Sequence, residues 1–251
     1  MYFATFASSN LHLSAKRIYN EVLNYRSLFK GIFIYNEHSL ETEFLNQFKN
    51  FLNYETRGFG FYCWKPQIIL QSLREMKDGD VLIFTDVGCE LHDNFGNSVE
   101  KYLQIIREKK YDLIARQLPE EDCAEQYWSK GDILSFFGVY ENKETLSSGQ
   151  LESDRIIVVK SEKTVKMFSK MVEIYKNKFE MMTDKPSVIP NKPGFKENRH
   201  DQSLFSLMIK SNPLNLNIKY SLGELNTVML AKRNKEFSTS YEDFRIKIIK
   251  I

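Results

Sequence analysis

Short apolar runs alternate along the first half of the chain with longer stretches whose apolar residues recur every three or four positions. Tyr2–Phe6 is an apolar run closed by Ala7-Ser8-Ser9-Asn10, and Leu13, Ile18, Val22 and Leu23 follow at helical spacing. Gly31–Tyr35 repeats the strand signal, and Phe44, Leu45, Phe48, Phe51 and Leu52 put an apolar face on the next helix. Trp64-Lys65-Pro66 places a proline where the first turn of a helix tolerates it, with the helix itself expected over 67–77. Asp78-Gly79-Asp80 breaks that helix, and the continuous apolar run 81–84 reads as a parallel strand covered on both faces. A helix is expected over 99–109 and strands over 113–115 and 156–159. Pro186, Pro190, Pro193 and Gly194 make 184–199 a loop, a candidate lid. Asp201 is expected to cap a last amphipathic helix through Met208, and the apolar, basic tail 244–251 either closes the domain or meets a membrane. The pattern predicts a single α/β domain: a mostly parallel central sheet flanked by helices.

Composition narrows the class. With 251 residues, 42% apolar and 27% charged, the chain can bury one sizeable core, which excludes disorder as its main theme. Thirty-five basic residues nearly cancel thirty-three acidic ones, so no general attraction to nucleic acid is expected. Cys63, Cys89 and Cys123 form neither an even disulfide framework nor a CxxC pair, which points to a reducing compartment, the cytoplasm. No secretory signal and no run of about 18 apolar residues is present in the sequence.

The sharpest chemical feature is Thr85-Asp86-Val87-Gly88-Cys89 at the end of the 81–84 strand. A carboxylate there either caps a turn or faces a ligand beyond the strand's C-terminal end. Arg57-Gly-Phe-Gly-Phe-Tyr-Cys-Trp64-Lys65-Pro66 followed by Gly79-Asp-Val-Leu-Ile-Phe-Thr-Asp86-Val-Gly-Cys89 resembles a family of bacterial GT-A glycosyltransferases of lipopolysaccharide or capsule synthesis. The resemblance continues through Gly149-Gln150-Leu151-Glu152 and Asn198-Arg199-His200-Asp201-Gln202-Ser203.

What the resemblance implies is a GT-A-like, Rossmann-like fold, with 1–120 as the nucleotide-sugar half and 121–251 as the acceptor half. It implies transfer of a hexose from a UDP-sugar to a hydroxyl of a glycan or lipid-linked glycan, by a cytoplasmic enzyme, peripheral at the inner face of the plasma membrane where the acceptor is lipid-linked. GT-A enzymes carry Asp-x-Asp after a central strand; here Asp86 matches the first carboxylate and Gly88 replaces the last. Either Asp86 shares Mn²⁺ or Mg²⁺ with His200, or Asp86 binds ribose while Arg57 and Lys65 neutralise the phosphates. Ser8, Arg57, Trp64, Lys65, Asp86, Gly88 and Gln202 are the expected donor-binding residues. Asp201 is the expected catalytic base, with Glu152 the alternative, and Gln150 and Arg116 are expected at the acceptor with Asp154 nearby. Two other readings stay open at this point: a noncatalytic carbohydrate-binding or assembly protein, and a sugar nucleotidyltransferase.

Overall fold

The computed structural model describes residues 1–237 and the short strand Ile249–Lys250. Strands and helices alternate through the first half: β1 (Tyr2–Phe6), α1 (His12–Leu23), β2 (Gly31–Tyr35), α2 (Thr42–Phe48), the tight turn α3 (Gly58–Phe61), α4 (Trp64–Arg74), β3 (Val81–Thr85), β4 (Glu90–Leu91), α5 (Phe95–Lys109) and β5 (Leu113–Gln117). Four short helices follow, α6 (Glu120–Cys123), α7 (Glu125–Trp128), α8 (Gly131–Phe136) and α9 (Lys143–Ser147). The chain then forms β6 (Leu151–Val159), α10 (Glu162–Lys178), α11 (Asp201–Ser211), β7 (Ile218–Ser221), β8 (Met229–Leu230) and β9 (Ile249–Lys250).

Among the described residues the main sheet has the order β7-β5-β6-β3-β1-β2-β9. β1 lies parallel between β2 and β3, and β5 pairs in parallel with β7. β6 runs antiparallel between β3 and β5, and β9 runs antiparallel along the edge of β2. The sheet is therefore mostly parallel, with β6 and β9 reversed. Side chains alternate across it: Ala4, Phe6, Leu82 and Phe84 enter one core with α4, α10 and α11, while Phe3, Ile32 and Ile83 enter the other with α1 and α5. Full burial of each large side chain contributes about 1.5–3 kcal/mol, so two apolar layers hold β3 in place between them. Among the described residues no helix is long and apolar enough to cross a membrane.

Several boundaries differ from the sequence expectation. Helix α4 starts at Trp64, with Pro66 inside its first turn, and ends at Arg74. In α1 the buried stripe is His12, Ala15, Ile18 and Val22, while Leu23 is exposed. Strand β6 begins at Leu151, not Ile156, so Glu152 and Asp154 lie within a strand and not in a loop. Their charges are tolerated there because Arg116 and Arg155 pair with them. Asp201 is the first residue of α11 and not its cap; His200 occupies the cap position, and the Asp201 side chain turns to Lys65 and Ser153. The 184–199 stretch contains no helix or strand, as its prolines require. Of the 244–251 tail, only Ile249–Lys250 falls within the described residues, paired with Gly31 and Ile32.

Candidate active site

Two adjoining cavities open beyond the C-terminal ends of β1 and β3. The smaller, about 310 Å³, is walled by aromatic side chains, among them Phe6, Tyr54, Phe59, Trp64 and Phe237, together with Ser8. The Phe6 and Trp64 rings stack with centroids 4.2 Å apart, and the Trp64 indole N–H donates to the Gly58 carbonyl at 2.9 Å. Ser8 donates to Asn10 at 2.6 Å. The wall between β2 and α4 is a left-handed turn in which Gly58, Phe59, Gly60, Phe61 and Tyr62 have φ of 60°, 55°, 95°, 50° and 61°. Its amides close helically, Phe61 onto the Arg57 carbonyl at 2.7 Å and Tyr62 onto that of Gly58 at 3.3 Å. A left-handed conformation costs roughly 1–2 kcal/mol for each residue other than glycine, so two glycines in five lower the strain. Gly58 is further required by contact, since a Cβ there would stand 2.4 Å from the Tyr62 ring.

The larger cavity, about 700 Å³, is polar and is bounded by the start of β6, the start of α11 and residues 197–202. At its floor the buried Lys65 ammonium, from the first turn of α4, lies 3.0 Å from Asp86 Oδ1 and 2.7 Å from Asp201 Oδ2. Ser153 donates to the same Asp201 oxygen at 2.6 Å. The Asp86 amide donates to the Asp154 carbonyl at 2.8 Å, extending the β3–β6 ladder by one bond and fixing the carboxylate's direction. Burial pushes the Asp86 carboxyl up to about 6, against the pull of Lys65 and with Asp201 and Asp154 adding to the rise. Burial disfavours the Lys65 charge, but the carboxylates of Asp201 and Asp86 outweigh it and hold the ammonium above its ordinary value. Arg57, Tyr62, Asp86 and Lys235 line both cavities and so mark the junction between them.

The other residues singled out from sequence fall around this floor. Gln202 donates to Gln150 at 2.8 Å, and Gln150 is anchored on Glu125, Ser129 and Ser203. Glu152 has one oxygen on Arg116 at 2.6 Å and the other on Arg155; burial raises its carboxyl against those two guanidiniums. Arg116 does not line either cavity and meets the site only through Glu152. Gly88 lines the larger cavity, its carbonyl accepting from the Asn234 amide at 2.8 Å. Arg57 is half-exposed, 3.5 Å from Asp184 and 3.6 Å from Glu197. Ser153, Arg199 and the 233–237 strap also line the site, Arg199 within the quoted 198–203 segment but with no role expected of it. The strap carries no motif, and Ser153 and the buried Arg155 behind the cavity wall sit at strand positions that only the alternation of β6 reveals.

The donor set does not fit a divalent cation. Mg²⁺ and Mn²⁺ require several oxygens at about 2.1 Å, whereas Gly88 offers no side chain and Lys65 already bridges Asp86 and Asp201. His200 bonds the Met182 carbonyl through Nδ1 at 2.6 Å and turns Nε2 toward Asp184, 3.4 Å away. Among the described residues no group of three or more His, Cys, Asp and Glu side chains is arranged to hold a metal.

No protein-family model matches this chain, and no curated protein does. Among solved structures, it is similar to mouse xyloside xylosyltransferase 1 in its apo form, at 9% identity over 88% of this chain and 84% of that one, with a TM-score of 0.44. It is also similar to a glycosyltransferase involved in glycosylation of the PBCV-1 major capsid, at 13% identity over 69% and 65% of the two chains and a TM-score of 0.38. A third is the galactosyltransferase LgtC in complex with donor and acceptor sugar analogs, at 13% identity over 89% and 74% and a TM-score of 0.43.

Proposed function

We propose that this protein is a GT-A-like glycosyltransferase that moves a hexose from a nucleotide-diphosphate sugar to a hydroxyl group. The observation that carries this reading is the order of the two cavities, aromatic then polar, with the cations Arg57 and Lys235 where they meet. A nucleotide sugar has the same order: a flat base, a diphosphate, and a ring of hydroxyls. The base suits the Phe6–Trp64 side through ring contacts. The diphosphate suits the cationic junction through charge-assisted hydrogen bonds. The hexose suits the carboxylates and amides of Asp86, Asp201, Gln202 and Gln150, which accept and donate to hydroxyls.

In the reaction the bond from the sugar's anomeric carbon to the diphosphate oxygen breaks, and its electron pair leaves with the diphosphate. The acceptor oxygen bonds the anomeric carbon and gives up its proton. We assign that proton to Asp201, whose contacts with Lys65 and Ser153 both fall on Oδ2. Glu152 is the weaker base because guanidiniums engage both of its oxygens, and its part is to pair with Arg116 and Arg155 behind the cavity wall. On the sequence resemblance, the donor is a UDP-hexose and the acceptor a glycan or lipid-linked glycan of a bacterial surface polysaccharide, reached at the cytoplasmic face of the membrane.

A thermal-shift screen against UDP-, GDP-, CMP- and dTDP-sugars tests this, because a ligand of the native state alone raises apparent stability. A shift confined to the sugars of one nucleotide, followed by nucleoside diphosphate release when a glycan acceptor is added, is the expected result. Binding without release under any acceptor supports a noncatalytic carbohydrate-binding role instead, and no shift with any donor contradicts the proposal.

A further inference from the structure

Two lysines stand among the residues expected to bind the donor: Lys65 between Asp86 and Asp201, and Lys235 beside Gly88. We propose that Lys65 is the resident cation of the donor site and that Lys235 supplies the second charge to the diphosphate, so that donor binding requires no divalent metal. The proposal rests on the donor-site reading above.

Two independent observations support it. First, the Lys65 ammonium lies 3.0 Å from Asp86 and 2.7 Å from Asp201, is buried, and also reaches the Ser153 hydroxyl at 3.3 Å. A divalent ion entering between these carboxylates would meet a fixed positive charge and lose the oxygens it needs. Second, a Cβ at Gly88, where the second carboxylate of an Asp-x-Asp would begin, would stand 3.1 Å from Lys235 Cε. A carboxylate carried on that Cβ would therefore press against a cationic side chain. The strap carrying Lys235 is held over the site from outside: the Asn234 amide donates to the Gly88 carbonyl at 2.8 Å, and the Glu236 amide donates to Ser14 at 2.7 Å.

These placements divide the work of a metal between two ammonium groups. Lys65 fixes the directions of Asp86 and Asp201 toward the sugar, as a metal would fix its ligands. Lys235, exposed and at the junction, donates hydrogen bonds to the phosphate oxygens on which charge grows as the bond breaks.

Calorimetric titration of the full chain with UDP, GDP, CDP and dTDP, each in EDTA and in excess MnCl₂, tests the proposal. The nucleotide that binds is expected to do so with affinities differing by less than about threefold between the two conditions. A gain of about tenfold or more in Mn²⁺ overturns the proposal while leaving the donor-site reading intact. Absence of binding by all four nucleotides in both conditions overturns the donor-site reading and this proposal with it. Lys235→Met, at an exposed position that does not endanger the fold, is expected to lower affinity about tenfold in both conditions, and unchanged affinity contradicts its role. Lys65→Met vacates the two carboxylates and is expected to make binding respond to Mn²⁺; a folded variant indifferent to Mn²⁺ contradicts the role of Lys65.

Discussion

The two cavities are held together by different forces. The smaller is built from aromatic side chains that pack on one another, such as Phe6 on Trp64, and its shape follows from burial. The larger is built from charges satisfied within the protein: Lys65 with Asp86 and Asp201, Glu152 with Arg116 and Arg155. Truncation in the first removes contacts, while truncation in the second strands a partner. A ligand entering the aromatic side displaces water, whereas one entering the polar side competes with internal ion pairs that already set its geometry.

The largest expected effect lies on the polar side. Arg155→Met leaves Glu152 and Asp154 without their buried partner and also releases Asn226 and the Met229 carbonyl. It is expected to cost about 3–5 kcal/mol in urea unfolding, and a loss below about 1 kcal/mol would erase the contrast between the two cavities.

Next comes pH. Asp86 titrates near 6 in the folded protein, above the ordinary 3.8, because it is buried. Between those values the native state takes up the proton before the unfolded chain does, so this one carboxylate adds stability as pH falls through about 6 and costs stability above it. Function has the opposite sign: the neutral acid no longer pairs with Lys65, so donor affinity is expected to fall as pH drops through about 6. Titrations between pH 5 and 8 check this, and a flat affinity profile removes Asp86 from the donor site.

On the aromatic side Trp64→Phe keeps the stack on Phe6 but loses the bond to the Gly58 carbonyl. A stability loss of about 1 kcal/mol is expected from thermal or urea melts. The smallest stability effect is expected for Arg57→Ala, whose ion pairs are long and half-exposed, within about 0.5 kcal/mol of wild type. Its donor affinity should nonetheless fall about tenfold, because Arg57 stands at the junction.

The same contrast explains what could be read from the chain. β1, β2 and β3 are continuous apolar runs with helices between them, so their signal is local and their order followed from periodicity. Asp86 stood out because it ends such a run. After Leu151, β6 runs through Glu152-Ser153-Asp154-Arg155, which reads as a polar loop until the fold shows its charges partnered, Glu152 with Arg116 on β5 and both carboxylates with Arg155 on β6 itself. No element is expected from sequence over 162–178, although Met167, Phe168, Met171, Val172 and Tyr175 form the buried face of α10. From sequence, phosphate neutralisation by Lys65 is one of two alternatives; that it bridges Asp86 to Asp201, far along the chain, is visible only in three dimensions. The 233–237 strap gave no motif at all, because its contribution depends on where the preceding strands deliver it.

If the two cavities are consecutive subsites for one nucleotide sugar, a crystal structure of the protein with a bound UDP-hexose will show it. The base is expected against Phe6 and Trp64, the diphosphate at Arg57 and Lys235, and the hexose facing Asp86 and Asp201. A nucleotide seated elsewhere, or a sugar lying in the aromatic cavity, would contradict it.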